Sequence, residues 1–158
     1  MTDHVVTRPA TAADVAHIER IVAAAYAPYV ERIGRRPAPM TVDYRTLVAT
    51  TDRATVLVDA SSELVGVVIA VAEPDHLLVE NVAIAPHAQG RGYGRMLLSL
   101  AEQRARDLGL PQVRLYTNAA MTENVALYPR LGYTEVARHR QDGFDRVFFV
   151  KDLSPAGH

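Results

Sequence analysis

Cysteine is absent from the 158 residues. That excludes a disulfide scaffold, a thiolate metal site and a cysteine nucleophile. Tryptophan is absent too, and aromatic residues make up only 6% of the chain. No apolar run approaches the ~20 residues of a membrane span, so no membrane segment is expected. The opening Met1-Thr2-Asp3-His4 shows no basic start followed by an apolar stretch. No signal peptide is read there, and a cytoplasmic location is expected. Neither sign of charge dominates: 17 basic and 18 acidic residues leave a formal net charge of −1. A global electrostatic case for nucleic acid is therefore missing. Lysine is nearly missing as well. Of the 17 basic residues only Lys151 is lysine, which leaves 16 arginines. The excess as a whole is read as coding bias, so anion recognition has to be argued at particular arginines. The six histidines (His4, His17, His76, His87, His139 and His158) lack metal-ligand spacing, and no metal site is expected.

What is present is ordinary for a folded domain: 49% hydrophobic and 22% charged residues. The length fits one domain with its own core, placed at residues 1–153, with a flexible tail over 154–158. His4 to Arg8 reads as a strand stopped by Pro9. Thr11-Ala-Ala-Asp14 resembles a capping box with Asp in the last position. The stripe Val15, Ile18, Val22, Ala25 and Tyr29 predicts an amphipathic helix, with Pro28 marking a fraying end or a kink. Pro28, Gly34, Pro37 and Pro39 predict a broken helix and loop up to Met40. A short helix is expected around Asp43 to Ala49. Strands are expected at Thr55–Asp59, Leu64–Ala72 and Leu77–Ala85. Gly92 to Leu108 is the clearest helix, with Leu97, Ala101, Ala105 and Leu108 on one stripe and Gly109 as its C-terminal cap. A strand at Val113–Thr117 and a helix at Thr122–Leu131 follow. The strands Tyr133–Arg140 and Arg146–Lys151 then flank an Asp142-Gly143 turn. The strands before and after the long helix should be parallel. A mixed sheet with helices on both faces is the expected fold.

The most informative stretch is Ala85-Pro-His-Ala-Gln89-Gly90-Arg91-Gly92-Tyr93-Gly94-Arg95. It lies between a buried strand and the long helix. Its alternate glycines let the backbone turn N–H groups toward one point, where the helix dipole adds positive charge. Arg91 and Arg95 oppose that dipole unless an anion sits between them, and a phosphate or pyrophosphate fits. The spacing is neither GxxxxGK[ST] nor GxGxxG.

Gln89-x-x-Gly92-x-Gly94 resembles the Q/R-x-x-G-x-G/A signature of the GNAT superfamily of N-acetyltransferases. The resemblance extends over nearly the whole chain. It includes the element order, Val82-Ala-Ile-Ala-Pro86 before the loop, and Leu127-Tyr128-Pro-Arg-Leu-Gly132-Tyr133 after it. It implies an α+β fold: an αβα sandwich around a mixed, mainly antiparallel sheet whose two middle strands are parallel and splayed. It further implies an acetyl-CoA site in the resulting gap. The main chain of Val82, Ala83 and Ile84 would pair with pantetheine. The amides of Gln89, Gly90, Arg91, Gly92, Tyr93, Gly94 and Arg95 would hold the pyrophosphate, with Arg91 and Arg95 adding charge-assisted contacts. The family often carries Asn seven residues before the tyrosine, where this chain has Met121. Asn118 or Asn124 is expected to take over that contact.

The resemblance implies transfer of an acetyl group directly to a primary amine of a small molecule or a peptide. Tyr128 matches the family's tyrosine and is the candidate acid, since a phenol stays protonated at neutral pH. Glu80 is the candidate base. It lies in an apolar strand, alternating onto the face of Leu78, Val82 and Ile84, where desolvation would raise its pKa. The alternative for Glu80 is an ion pair with one of the arginines. Asn81 faces the other way and is the weaker candidate. The acceptor side is expected from the Tyr26–Tyr44 segment, the strand at Glu80 and the Tyr133–Phe144 hairpin, with Tyr26, Tyr29, Arg32, Tyr44 and Asn81 as the candidate acceptor-binding residues. Arg32, Arg35 and Arg36 raise the option of an anionic acceptor, against a plain solvated basic loop. The competing class is a non-catalytic acyl-CoA sensor or interaction domain on the same fold. A nucleic-acid module lacks support. Dimerisation is common in similar proteins, but no surface for it is visible in the sequence.

Overall fold

The computed structural model describes residues 4–153. The readings of a missing leader at the N-terminus and of a tail from Ser154 fall largely or wholly outside those residues. Seven strands form one sheet in the order β1-β2-β3-β4-β5-β7-β6. They are β1 Val6–Pro9, β2 Ala54–Val58, β3 Leu64–Ala72, β4 Leu77–Ile84, β5 Gln112–Asn118, β6 Thr134–Gln141 and β7 Phe144–Asp152. Four helices accompany them: α1 Val15–Ile33, α2 Tyr44–Thr50, α3 Tyr93–Asp107 and α4 Thr122–Arg130. All strand pairs are antiparallel except β4 with β5. Helices α1 and α2 cover one face of the sheet, and α3 and α4 the other. The fold is the αβα sandwich expected.

β3 is the central apolar strand, buried at every position but its last. Gly66 stands in it for steric reasons. A Cβ there would lie 2.9 Å from Ile84 Cδ1 and 3.3 Å from Leu97 Cδ1, so the missing side chain lets α3 sit close on the sheet. Ile18, Leu57, Ile69, Leu77, Leu97 and Phe149 are among the largest fully buried side chains. They place the core on both faces of β2 to β5 and β7.

Two irregularities shape the middle of the sheet. The first is a bulge in β4. Ile69 faces Asn81 while Ala70 faces Val79, which leaves Glu80 as the extra residue. The strict alternation read from the sequence therefore breaks at Glu80. Val82 and Ile84 face α3, whereas Asn81 and Ala83 face α1 and α2 with Ile69. The second is a splay. β4 and β5 pair only at Leu77↔Val113, Leu78↔Arg114 and Val79↔Leu115. Beyond that, each strand keeps only its outer partner. β4 runs on with β3 to Gly66↔Ile84, and β5 runs on with β7 to Asn118↔Arg146. A gap opens between them, and β4 has no strand partner on that side from Glu80 to Ile84.

Helix α1 differs from expectation. Pro28 lies inside it, and the helix continues to Ile33 before Gly34 ends it at φ +87°. Proline removes one backbone hydrogen bond. Side chains on either side of it hold the helix in place: Tyr26 bonds to Asn81, and Tyr29 and Arg32 bond to Glu123. The Thr11–Asp14 capping box forms, with Asp14 Oδ2 accepting from the Thr11 amide at 2.8 Å. The turn between β6 and β7 has Asp142 and Gly143 both at positive φ, +54° and +79°, as a two-residue hairpin requires.

Candidate active site

The loop after β4 begins with a 3-10 turn over Pro86–Ala88. Gly90 and Gly92 follow at φ +83° and +81°, a region that side chains disfavour. Gln89 bridges the loop to the strand end, its Nε2 donating to the Ile84 carbonyl at 3.1 Å. Gly92 is the N-cap of α3 and offers no side chain, and no acidic residue lies in the first turn. The N-cap residue thus supplies no side-chain hydrogen bond to the start of α3. Arg91 and Arg95 are exposed beside it and form no ion pair among the described residues. Tyr93 buries its side chain in the core, away from the cradle. Gly94 has ordinary φ, and a Cβ there would meet nothing within 4 Å. Neither backbone conformation nor packing requires that glycine. It lines a groove with Val82, Ala83, Ile84, Gln89, Leu98, Asn124, Leu127 and Tyr128. Clearance for a ligand is the remaining physical reason for it.

Tyr128 of α4 reaches the gap. Its ring meets Phe149 and Tyr133 edge-on, with centroids 5.4 and 6.1 Å away. Its hydroxyl makes no hydrogen bond among the described residues. Burial pushes the phenol up to about 12, so it stays protonated at any neutral pH. Asn124 also borders the gap, with Nδ2 donating to Thr117 Oγ1 at 3.3 Å. Asn118 is occupied locally instead: its Oδ1 accepts from the Ala120 amide at 2.9 Å, fixing the turn into α4. Met121 is buried, with Thr117 Oγ1 3.7 Å from its sulfur. Of the two asparagines, only Asn124 lines the cofactor-side groove.

A second pocket opens on the other side of the gap. Tyr26, Pro37, Ala38, Pro39, Glu80, Asn81, Tyr116, Phe144 and Arg146 line it, and Tyr128 and Asn124 close its inner end. Asn81 is at its centre and is 6% exposed. Its Oδ1 accepts from the Tyr26 hydroxyl at 2.6 Å, and its Nδ2 donates to the Tyr44 hydroxyl at 3.3 Å. Tyr44 passes the chain on to the Pro39 carbonyl at 2.5 Å. Burial drives the Tyr26 phenol well above its usual range and the Tyr44 phenol to about 12. This relay ties α1, the 37–41 loop and α2 to β4. Asn81 is therefore more central than its place on the opposite face suggested.

Glu80 needs the opposite correction. The bulge turns it toward α2, away from Val82 and Ile84. Its side chain is 33% exposed and lies 3.7 Å from Arg53, so the expected desolvation by an apolar face does not occur. Tyr29 and Arg32 do not line the acceptor pocket. Tyr29 borders the cofactor-side groove, and both donate at 2.7 Å to Glu123. The hydrogen bonds from Arg32, Tyr29 and Thr122 hold the Glu123 carboxyl at about 2. An ion pair already occupies the Arg32 charge assigned to an anionic acceptor. Glu123, on the cofactor-side groove, and Arg146, on the acceptor pocket, are charged residues that sequence reasoning missed. Only the positive first turn of α3 had a charge pattern strong enough to be noticed.

Comparison with known proteins agrees with this geometry. The acetyltransferase (GNAT) family model matches residues 14–133. A mycothiol acetyltransferase from Jonesia denitrificans is 37% identical over 103 residues, covering 64% of this chain and 31% of that protein. One from Pseudarthrobacter chlorophenolicus is 49% identical over 53 residues, covering 34% and 16%. The matched stretches thus span less than a third of these relatives. Among solved structures, the ribosomal-protein-S18-alanine N-acetyltransferase from Escherichia coli superposes with TM-score 0.75 at 21% identity, covering 98% of this chain and 97% of the other. The PaiA N-acetyltransferase from Thermoplasma acidophilum, in complex with coenzyme A, gives 0.78 at 14% identity over 95% and 99%. Both share the fold.

Proposed function

The chain belongs to the GNAT family of acetyltransferases, and we propose that it moves an acetyl group from acetyl-CoA directly to a primary amine, with residues 1–153 acting as one catalytic domain. One observation carries this reading: a glycine-rich anion cradle and a half-buried phenol, whose hydroxyl makes no hydrogen bond among the described residues, border the same gap between β4 and β5. Acetyl-CoA supplies an activated thioester there. The loop from Gln89 to Arg95 holds its pyrophosphate: the Gln89 amide donates to the Pro86 carbonyl at 3.4 Å, and the amides that follow it, with the Arg91 and Arg95 side chains, face the anion. The edge of β4 at Val82, Ala83 and Ile84, which lacks a strand partner, offers backbone groups to the pantetheine amides. Asn124 is placed to touch the same arm.

The acceptor reaches the gap from the pocket of Tyr26, Asn81 and Glu80. An amine arrives protonated and must lose a proton before it attacks. Glu80 is the carboxylate in that pocket, and its partial exposure lets a water carry the proton onward. As the C–N bond forms and the C–S bond breaks, negative charge gathers on sulfur. Tyr128 Oη donates a hydrogen bond to it. Its pKa of about 12 lies above that of a thiol, near 8.5. The phenol therefore stabilises the thiolate chiefly as a donor, and the released amine proton balances the reaction.

Thermal melting with and without saturating acetyl-CoA tests the reading. A ligand at ~100 times its dissociation constant adds roughly 2.7 kcal/mol, a rise of roughly 5–11 °C at this chain length. A clear rise followed by thiol release with an amine panel supports transfer. A rise with no thiol release for any amine leaves the acyl-CoA sensor. Failure of acetyl-CoA to raise the midpoint refutes the reading.

A further inference from the structure

Arg146 carries a charge that the protein only half answers. It lies near the start of β7, opposite Asn118, and is 7% exposed. Its Nη1 donates to Gln141 Oε1 at 2.8 Å and reaches Asp142 Oδ2 at 3.4 Å. The Asp142 side chain is 77% exposed, so solvent screens that partner. A guanidinium has five N–H donors. Those on Nε and Nη2 make no hydrogen bond among the described residues. No described buried side-chain nitrogen lacks a partner, so solvent reaches these two atoms, and Arg146 lines the acceptor pocket. The guanidinium carbon stands 4.4 Å from the Tyr116 ring centre and 5.6 Å from that of Phe144. The two rings hold the guanidinium in place.

A buried charge without a full partner is expensive. A guanidinium with a free edge, held by aromatic rings, matches a planar carboxylate through two parallel hydrogen bonds. Glu80 lies in the same pocket and attracts an incoming ammonium. The pocket therefore carries one negative and one positive charge. Building on the acetyl-transfer reading, the geometry points to an acceptor that bears a carboxylate as well as its amine. The amine lies toward Glu80 and Tyr128, and the carboxylate lies on Arg146. A polyamine fits poorly, because its second ammonium would face the guanidinium.

The test pairs ω-amino acids, from glycine to 6-aminohexanoate, with their carboxamides. Affinity is measured by titration calorimetry on the full chain with saturating CoA, and thiol release is followed with acetyl-CoA. At least one amino acid should bind tenfold or more tightly than its amide. Arg146→Gln should erase that preference, and Arg146→Lys should keep part of it. Both variants should retain the wild-type melting temperature and CoA affinity. The wild-type pairs alone decide the matter if a variant misfolds. Equal affinity within every pair, no binding by any probe, or a preference that survives in a folded Arg146→Gln overturns the inference. Arg146-dependent binding without thiol release would sink the transfer reading and leave the carboxylate site standing. Thiol release that ignores both the carboxylate and Arg146 would do the reverse.

Discussion

Replacing Tyr128 by Phe removes one oxygen that no other described group bonds. The ring keeps its edge contacts with Phe149 and Tyr133, at 5.4 and 6.1 Å. Folding should therefore change little at pH 7, within about 0.5 kcal/mol. Turnover should not be spared. A positioned donor to the leaving group contributes about 10²–10⁴-fold, or roughly 3–5 kcal/mol of barrier. The expected outcome is a kcat lower by that factor with acetyl-CoA affinity unchanged, read from thiol release and from calorimetry. Alkaline melting gives an independent check. Burial raises the Tyr128 phenol from 10 to about 12, so the folded state holds the proton more tightly than the unfolded chain does. The stabilisation is full below pH 10 and is lost as pH rises through 12. Two pH units correspond to about 2.7 kcal/mol, and the Phe variant lacks that loss. Its stability should fall less steeply than wild type between pH 10 and 12. A kcat within threefold of wild type would remove Tyr128 from the chemistry, and identical alkaline limbs would show that the hydroxyl is solvated.

Gly94→Ala separates ligand clearance from folding. The new methyl meets no atom within 4 Å and the φ is ordinary. The melting point should hold or rise slightly, since Ala is the better helix former by about 1 kcal/mol, while acetyl-CoA affinity drops at least tenfold. Unchanged affinity would move the cofactor off the first turn of α3. Asp14, held at about 2 chiefly by its hydrogen bonds from Arg8, contributes stability that is present above pH 4 and lost as pH falls through 2. Asp14→Asn should lower stability at pH 7 by about 1–2 kcal/mol, discounted for the half-exposed arginine, and should flatten the acid limb of the urea-midpoint profile. Equal acid limbs would refute it. Glu80→Gln and Arg53→Gln divide the two roles of their pair. A base loses activity only in the first variant. An ion pair at 3.7 Å shifts stability by no more than about 1 kcal/mol in either. Equal activity losses in both would remove Glu80 as the base.

Much of the fold is legible because period and punctuation agree. β3 is apolar along its length, the α3 stripe repeats at helical spacing, and Asp142-Gly143 supplies the turn that its hairpin demands. The misreadings fall where tertiary contacts override local rules. Pro28 predicts a break, but the anchors at Tyr26, Tyr29 and Arg32 hold the helix through it. Sequence places Arg146 as the first residue of β7, yet the strand begins two residues earlier at Phe144. Arg146 thereby enters the sheet instead of the turn.

The site divides along the same line. The cradle is local: one contiguous run supplies the glycines, the helix start and both arginines, so its chemistry can be read from spacing. The acceptor pocket draws on α1, the 37–41 loop, β4, β5 and the β6–β7 hairpin, and spacing cannot bring those together. Glu80 shows the limit most clearly. Alternation assigns it to the α3 face, and a single extra residue against β3 moves it to the other. One bulge thus changes an expected desolvated carboxylate into a partly solvated one beside Arg53. Asn81 keeps the face that alternation gives it, toward Tyr26 and Tyr44. A backbone step of one residue therefore brings two adjacent polar side chains to one pocket, Asn81 buried between two tyrosines and Glu80 partly solvated beside Arg53.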